Sequence, residues 1–495
     1  ILGMSDNEKS YIRKTSIGYL HQRNPLLSEF SAYENIYISL LLNNFNKRYA
    51  REKTYDLLSS VGMKHRAYHM PSSLSGGETT RKDITTNAFS KPAKNLPLKF
   101  RQVFTEGNKL FKVDWNSNPN QKFYGLGPTF TQSSCISCHI KDGRSLPPDI
   151  NKKGIGGLSI FINNYFKDEI NYGNKIDTKA ITNVKEEGDI IINYEIIKGN
   201  FSDGIPYKLF KPNFIIEKYN YGQIKNKIHG RVATQIIGMG LIETIPEKSI
   251  LEWSDPFDKD EDGISGRPNF IYDPTIKKEV VGRFGWKASK GSIKHQVVSA
   301  LHEDIGITTV FFPKNRCPEK QVDCKSQLIN KSIEASENIV DIISFYTSVI
   351  AVPARRGIDN KYIEEGREIF INAGCAKCHI QSVKTGKNSN SQLDFLNNQN
   401  IQPFTDLLLH DMGEELAEYS KEGIAYGKEW RTAPLWGLGL IQKVNGKIRL
   451  LHDGRARSIQ EAILWHGGEA KISRDKFLMM KKSNRELLIK FLESL

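Results

Sequence analysis

The chain has 495 residues, of which 39% are hydrophobic and 25% charged, an ordinary composition for a globular protein. This length is enough for two or three domains with substantial cores. No run of about 18 apolar residues occurs, so no membrane-spanning helix is predicted. The formal net charge is +14, but the lysines and arginines are scattered and form no known nucleic-acid-binding motif. We therefore expect no nucleic-acid partner, and either an acidic protein partner or a solvated basic surface.

The first 82 residues differ in character from the rest of the chain. Residues 15–36 (TSIGYLHQRNPLLSEFSAYENI) resemble the glutamine-loop region of ABC-transporter ATPases, and residues 74–78 (LSGGE) resemble the signature loop of that family. The likeness is to the ATPase subunit of lipoprotein-releasing transporters. However, the chain contains no Gly-x-x-x-x-Gly-Lys-[Ser/Thr] phosphate loop, and no apolar strand ending in Asp-Glu follows the signature. Because phosphoryl transfer needs a phosphate cradle and a Mg²⁺ site, residues 1–82 are predicted to be a truncated ABC ATPase fragment without ATPase activity.

Four of the six cysteines belong to two Cys-x-x-Cys-His motifs. The motifs are Cys135-Ile-Ser-Cys138-His139 and Cys375-Ala-Lys-Cys378-His379. Two cysteines three positions apart place both sulfur atoms on one turn, where they can bond to the two vinyl groups of a haem. The histidine that follows then lies under the iron as its axial ligand. The motifs therefore predict two covalently bound haem c groups.

A zinc site is the alternative interpretation of these cysteines, because two Cys-x-x-Cys pairs can assemble one tetrahedral site. A zinc pair does not require a histidine directly after its second cysteine, and both motifs have one. We therefore favour haem.

The segments around the motifs carry further patterns. Gly107 and Phe111 precede the first motif at helical spacing, and Gly366 and Phe370 precede the second. As in c-type cytochromes, each pair predicts a helix packed closely on another helix, although ordinary core positions are the simpler alternative. Between the motifs, the chain mixes helical runs, such as residues 228–241, with loops rich in Gly, Pro and Asn. The last residues, 483–495, predict an amphipathic closing helix.

The two remaining cysteines, Cys317 and Cys324, flank a short polar loop. Haem attachment implies an oxidising compartment, in which disulfides form and persist. We therefore predict a disulfide between them, with a pair of inert thiols as the alternative.

Residues 91–495 resemble the di-haem oxidoreductase family, which is also labelled as thiol oxidoreductases and is related to bacterial di-haem cytochrome c peroxidases. The likeness rests on blocks that occur in the family's order: 135–144 (CISCHIKDGR), 238–247 (GMGLIETIPE), 255–269 (DPFDKDEDGISGRPN), 282–288 (GRFGWKA), 404–416 (FTDLLLHDMGEEL), 431–439 (RTAPLWGLG) and 452–470 (HDGRARSIQEAILWHGGEA). It implies a mainly α fold of two cytochrome c-like domains. The first covers residues 91–340 and includes an irregular insertion, and the second covers residues 341–495.

The resemblance also implies a function. We expect a peroxidase-like oxidoreductase in which a C-terminal haem passes electrons to an N-terminal haem that binds the substrate, with a small redox protein as partner. A non-enzymatic electron-transfer cytochrome is the main alternative, and an ABC transporter ATP-binding protein is a remote one.

The compartment follows from the chemistry of haem attachment, which takes place outside the cytoplasmic membrane. The haem-bearing part is therefore expected in the bacterial periplasm. No positively charged stretch followed by an apolar segment occurs near residues 81–90, so no signal peptide is visible. We interpret residues 1–82 as an in-frame fusion, or an assembly error, that stands where an exported protein would carry its leader.

Three residues are candidates for roles near the haems. Trp286 is a candidate electron relay between them, as a Trp is in the related enzymes, although core packing is favoured. Glu243 is a candidate for the distal acid–base group that cleaves a peroxide, or else a surface or capping carboxylate. Met412 could bind iron through its thioether, but core packing is favoured.

An Asp-x-Asp-x-Asp-Gly loop is formed by Asp258, Asp260, Asp262 and Gly263. Alternate carboxylates before a glycine turn suit Ca²⁺, although the twelfth position is Asn269 where an EF-hand has an acidic residue. Related di-haem peroxidases hold a calcium ion between their haems. The loop is therefore a possible calcium site, with an acidic surface turn as the alternative.

The two irons are predicted to differ. In the related enzymes the C-terminal haem takes its distal ligand from the helix after a His-Asp-Gly motif, and counting onward from His452 that position is His466. The resemblance thus implies His379 and His466 as the axial ligands of the second haem, with a surface histidine as the alternative.

No similar partner for His139 is visible at the first haem. Three histidines in the intervening segment match no ligand position of the family: His229, His295 and His302. We expect His139 to be the only strong ligand there, with an open face near Glu243.

Overall fold

In the computed structural model, the described residues are 31–43, 45–60, 77–149, 152, 154–162, 171–327, 333–418 and 420–495. They belong to two compact units, residues 1–74 and 75–495. In the first unit, helix α1 (Ala32–Leu42) begins with a capping box, in which the Ser31 hydroxyl accepts from the Glu34 N–H and the Glu34 carboxylate accepts from the Ser31 N–H. Helix α2 (Lys47–Ser60) follows it. Residues 15–30 and 74–76 of the ABC-like motifs lie outside the described residues.

The second unit contains short helices joined by long connections. Its α-helices are α3 (Arg101–Phe111), α4 (Cys135–Cys138), α5 (Met239–Glu243), α6 (Glu247–Glu252), α7 (Ile293–Ala300), α8 (Val322–Ser326), α9 (Glu337–Ser348), α10 (Lys361–Asn372), α11 (Ile441–Asn445), α12 (Ile459–Leu464), α13 (Lys471–Met479) and α14 (Lys482–Ser494). A π-helical turn, Leu301–Ile305, continues α7. Short 3₁₀ turns lie at Gly77–Thr79, Leu98–Phe100, Ile140–Asp142, Cys375–Lys377, Ser391–Leu396, Glu414–Leu416, Leu438–Leu440 and Gly468–Ala470.

The strands of the second unit form small antiparallel sheets. They are β1 (Thr129–Phe130), β2 (Leu158–Ile162), β3 (Lys175–Ile176), β4 (Lys179–Ala180), β5 (Gly188–Asn200), β6 (Pro206–Tyr219), β7 (Ile228–Val232), β8 (Phe270–Asp273), β9 (Lys278–Val281), β10 (Val383–Lys384), β11 (Asn400–Ile401), β12 (Leu409–Asp411) and β13 (Glu429–Arg431). One sheet has three strands in the order β3-β2-β7, and the others pair β1 with β4, β5 with β6, β8 with β9, β10 with β11 and β12 with β13.

The prediction of a mainly α fold of two cytochrome c-like domains is wrong, because the structure is 35% helical and 17% strand, with several small sheets. Much of the strand lies in the stretch predicted as an irregular insertion, where β5 and β6 form a long hairpin. In β5, Ile190 and Ile192 are buried whereas Asp189 and Asn193 are exposed. This alternation of β-branched and polar residues is a strand pattern.

The helical run predicted for residues 228–241 is also wrong. Its first part is strand β7, which pairs with β2, and only Met239 and the residues after it are helical. Gly238, with φ of 68°, separates the two parts. That left-handed conformation is easy for glycine and cannot continue an α-helix.

The two predicted helix pairs are confirmed. Helix α3 packs on α9, and α10 packs on α14. A Cβ atom at Gly366 of α10 would lie 2.1 Å from the Leu487 carbonyl oxygen, and one at Gly107 of α3 would lie 2.5 Å from Tyr346 Cβ. Both glycines therefore allow backbones to approach more closely than any larger residue would.

Two smaller predictions are also confirmed. Cys317 and Cys324 form a disulfide, and the closing helix predicted at residues 483–495 is α14. Among the described residues, no helix is long and apolar enough to cross a membrane.

The second unit includes a few residues that the sequence placed in the ABC-like segment. The Glu78 N–H donates to Gln399 Oε1 at 2.7 Å, and the Arg81 N–H donates to the Val352 carbonyl at 3.1 Å. The domain boundaries at residues 82, 91 and 340 stay predictions.

The close contact of α10 with α14 leads to a test. Gly366→Val should lower the free energy of unfolding by ~3 kcal/mol, because the new side chain pushes the two helices apart. The matched control is Glu365→Val on the exposed side of α10, which should change it by no more than ~0.5 kcal/mol. Denaturant unfolding followed by circular dichroism measures both, and equal effects would contradict the packing argument.

Candidate functional site

The first Cys-x-x-Cys-His motif lies on helix α4 and the residue after it. His139 Nδ1 donates a hydrogen bond of 2.7 Å to the carbonyl of Thr234, just after strand β7. The ring of Phe111, from helix α3, lies 5.9 Å from the His139 ring. Because a carbonyl occupies Nδ1, Nε2 is the nitrogen left to bind a metal.

The second motif repeats this arrangement. His379 Nδ1 donates to the Phe404 carbonyl at 2.9 Å, and the Phe370 ring of helix α10 lies 6.3 Å from the His379 ring. Burial lowers the pKa of His379 to about 4 and also lowers the pKa of His139. Both imidazoles are therefore neutral near pH 7, which is the state that binds iron.

The motif cysteines do not form a thiolate cluster. Burial raises the pKa of Cys135, Cys138 and Cys375 to about 12 and raises that of Cys378. Among the described residues, no group of potential ligand atoms within 4.8 Å of one another joins the two cysteine pairs. The alternative zinc site is therefore not assembled there.

A cavity of about 500 Å³ opens beside the first motif, and its wall includes Cys135, Cys138 and His139. Other parts of the wall come from distant segments: Arg144, Gln235, Met239, Trp286, Glu303, Asp304, Arg431 and Trp436. Among the described residues of the lining, His139 is the only histidine. Two thiols and one neutral imidazole, all facing one cavity, are the donor set that a covalently attached haem requires.

The predicted distal ligand of the second motif, His466, follows helix α12 and is half-buried. Its Nδ1 donates to the Ala462 carbonyl at 2.7 Å, which leaves Nε2 available. Besides burial, an electrostatic interaction with His466 lowers the pKa of His379. Its role as a ligand stays a prediction.

Trp286, the predicted relay, lies in the wall of the first cavity. Its ring lies edge-on to His452, with centroids 6.5 Å apart, and His452 stacks on Trp430 at 3.7 Å and 13°. Trp430 is paired with His410 across strands β12 and β13, and His410 Nδ1 lies 3.7 Å from Cys378 Sγ. A row of ring-bearing residues therefore leads from the first cavity to the second motif.

Glu243 is not among the residues that line this cavity. Its Oε1 accepts a hydrogen bond of 2.7 Å from the Ile293 N–H at the start of helix α7, and burial raises its pKa. These contacts are those of a capping carboxylate. Met412 packs against the main hydrophobic core.

Three Asp side chains of the predicted calcium loop come together, with carboxylate oxygens of Asp258, Asp260 and Asp262 within 4.8 Å of one another. Asp258 Oδ1 already accepts N–H groups of Asp262 and Gly263. Asp262 Oδ2 lies 2.6 Å from Nζ of Lys377, within the second motif. Calcium binding stays a prediction.

The remaining histidines of the intervening segment have other contacts. His229 Nε2 lies 2.8 Å from Glu418, His295 Nδ1 lies 3.6 Å from Asp273, and His302 stacks on Phe312.

Sequence reasoning missed the charged groups around the row of rings. Lys287 is fully buried, its Nζ donates to the carbonyls of Tyr426, Gly427 and Glu429, and it lies 3.8 Å from the centre of the Trp430 ring. Its position directly after Trp286 in the sequence was the available signal.

A second missed group is His410, which lies between two carboxylates. Asp406 Oδ2 is 2.9 Å from its Nε2, and Glu469 Oε2 is 2.7 Å from its Nδ1. Although burial acts in the opposite direction, the hydrogen bonds to Asp406, Cys378 and Glu469 raise the pKa of His410 well above its ordinary value. The spacing of Asp406 and His410, four residues apart, was the only signal in the sequence.

The ABC-like resemblance is found again among curated proteins. The chain is 37% identical over 89 residues to the lipoprotein-releasing system ATP-binding protein LolD of Wigglesworthia glossinidia brevipalpis, covering 18% of this chain and 39% of that protein. It is 41% identical over 91 residues to LolD of Hyphomonas neptunium, covering 18% and 40%. The chain thus spans about two fifths of the length of these relatives. No solved structure is significantly similar to it.

The rest of the chain matches a different family. The profile of the family described as "Di-haem oxidoreductase, putative peroxidase" matches residues 69–155 and 182–495. These ranges contain both Cys-x-x-Cys-His motifs, the row of rings and most of the first cavity wall. The chain therefore belongs to the di-haem oxidoreductase family.

Proposed function

We propose that the chain is a peroxidase-like di-haem c-type oxidoreductase, in which electrons pass from a C-terminal haem site to an N-terminal site that binds the substrate. The observation that carries the proposal is the difference between the two motifs. The first faces a cavity with His139 as the only histidine of its described lining. The second has a further imidazole, His466, which interacts electrostatically with His379 and whose Nδ1 donates to the Ala462 carbonyl. An iron with a free position can bind a substrate, and one closed by two imidazoles can only transfer electrons.

The chain's own residues would hold and orient the cofactors. Haem c at both motifs would supply one-electron chemistry. The carbonyls of Thr234 and Phe404 fix the tautomer and orientation of the two axial imidazoles. Phe111 and Phe370 are buried against the rings of those imidazoles and exclude water from them.

The row of rings supports electron transfer between the two sites. The cations beside these rings determine whether a ring can hold an oxidising equivalent. The Arg144 guanidinium lies 5.3 Å from the Trp286 ring centre, and the Lys287 ammonium lies 3.8 Å from that of Trp430. A cation stabilises the electron-rich ring and opposes removal of an electron from it. We therefore assign Trp286 and Trp430 the role of bridges that do not store an oxidising equivalent.

The first cavity contains a better candidate for proton transfer than Glu243. Of the carboxylates in its wall, Asp304 is paired with Lys175 and Glu422 with Arg231. Glu303 has the longest of these ion pairs, with 3.7 Å between its Oε1 and Lys290 Nζ. We assign the acid–base role to Glu303.

The compartment and the partners remain part of the proposal. Covalent haem attachment, as proposed, and the disulfide of Cys317 with Cys324 fit a periplasmic location, and a small redox protein would supply the electrons.

Covalent attachment is tested on the holoprotein. Mass spectrometry should show two haem additions, and a pyridine haemochrome spectrum should be of the c type. Cys138→Ser should leave the first haem attached by one thioether only, because one vinyl group has lost its partner. Cys324→Ser, outside the motifs, should keep both haems fully attached. Haem that is extracted by acid acetone would contradict the proposal.

The difference between the irons is tested by spectroscopy. Electron paramagnetic resonance of the ferric protein should show one high-spin and one low-spin haem, and carbon monoxide should bind one reduced iron. His466→Ala should make the second haem high-spin, because it removes an axial imidazole, whereas His302→Ala should change neither signal. Two low-spin signals that stay unchanged in His466→Ala would favour a non-enzymatic electron-transfer cytochrome. Loss of one of them in Met239→Leu would identify a thioether that closes the first iron.

The acid–base assignment is tested by peroxide turnover. Glu303→Gln should lower kcat by roughly 10²-fold or more, the usual contribution of a positioned proton-transfer group. Glu243→Gln removes a capping carboxylate outside the cavity. It should lower the melting temperature and leave kcat close to the wild-type value. The reverse pattern would restore Glu243 as the acid–base group.

A further inference from the structure

Two buried arginines in the wall of the first cavity have no carboxylate partner among the described residues. Arg144 and Arg431 are only 4% and 8% exposed. Arg144 donates from Nη2 to the Leu451 carbonyl at 2.7 Å, and its buried Nε has no partner. Arg431 donates from Nε to the Gly285 carbonyl at 2.9 Å and from Nη1 to its neighbour's carbonyl. Within the described part of the chain, both guanidinium groups therefore hydrogen-bond to neutral carbonyl groups alone.

Each of the other charged side chains of this wall has a charged or aromatic partner. Their partners are Glu418 and Glu422 for Arg231, Lys175 for Asp304, Lys290 for Glu303 and the Tyr426 ring for Lys421. The two remaining cations are therefore not matched by anions that the described chain supplies.

Burial of an unpaired guanidinium is costly. Here burial lowers the pKa of both Arg144 and Arg431 to about 10, with little or no opposing effect from carboxylates. A chain that keeps two such groups on one cavity is expected to receive anionic charge from what the cavity binds.

A third unsatisfied donor lies in the same wall. Trp436 is 2% exposed, and its Nε1 has no hydrogen-bond partner among the residues that the structure describes. Indole and guanidinium groups donate and do not accept. Three donors, two of them cationic, match carboxylate oxygens, which only accept.

We propose that Arg144, Arg431 and Trp436 bind the propionate carboxylates of the haem at the first motif. The inference rests on the proposed presence of haem there. Residues 431–436, far along the chain from Cys135 and Cys138, would then contribute to binding of the first haem. Both arginines also lie beside Trp286: the Arg144 guanidinium is 5.3 Å from its ring centre, and the Arg431 backbone N–H donates to its carbonyl at 2.9 Å.

The experiment measures both haem midpoint potentials against pH in the wild-type holoprotein and its variants. With Arg144→Met or Arg431→Met, a buried propionate loses its cation and its pKa rises. Ionised propionate favours ferric haem, so the potential of one haem should fall as the pH rises from about 5 to 8. Wild type and Arg144→Lys should stay flat over this range.

The matched control is Arg283→Met. Arg283 is also 8% exposed and donates to the carbonyls of Ile242 and Ile245, but it does not line the cavity. It should leave both potentials independent of pH. Trp436→Phe removes one N–H without a change in charge, and should shift one propionate band in the resonance Raman spectrum even if the arginine variants load haem poorly.

The outcomes separate this inference from the proposed function. One haem per wild-type chain, attached at Cys375 and Cys378, would remove the proposed function. Two haems with flat potentials in both methionine variants and an unshifted Raman band would overturn the propionate assignment alone. A carboxylate substrate as the true occupant would show itself as an acetate-induced change of the haem absorption spectrum that Arg144→Met abolishes, again with flat potentials.

Discussion

The structure depends on a hydrogen bond that occurs twice, from a motif histidine to a backbone carbonyl of a distant segment. For His379 the acceptor is Phe404, whose φ of 55° is unusual for a bulky residue and costs about 1–3 kcal/mol. Phe404 is 1% exposed, and its ring packs on Phe370 and Phe491 at 6.2 and 6.0 Å. The glycine-dependent packing of helix α10 on α14 thus holds the strained residue that orients the imidazole.

The first motif has the equivalent hydrogen bond, but its acceptor lies beside a β-sheet. Thr234 supplies the carbonyl, and it lies two residues after the end of strand β7, which the sequence pattern had suggested was helical. The sheet that contains β7 lies in the segment predicted as an irregular insertion. Because this sheet positions Thr234, the predicted insertion supplies the acceptor that orients His139. It is therefore a structural part of the first site.

Short-range patterns in the sequence predicted the local features well. Each of these patterns concerns residues within a few turns of one another: the Cys-x-x-Cys-His spacing, the Gly and Phe pairs, the disulfide and helix α14. The hairpin of β5 and β6 was missed, although alternation at Ile190 and Ile192 signals a strand. The Arg431 and Trp436 side of the first cavity could not be predicted, since only the tertiary fold brings it to Cys135.

The cations beside the rings limit the kind of substrate that the proposed chemistry can serve. An enzyme that oxidises a large partner at its surface needs side chains that can hold an electron vacancy on the way. The fully buried Lys287 over Trp430 opposes such a vacancy on that ring. The oxidising equivalent would then stay at the first site, so the substrate must come to it. A cavity of about 500 Å³ with both polar and apolar walls suits a small molecule that enters, and it does not suit a protein that docks.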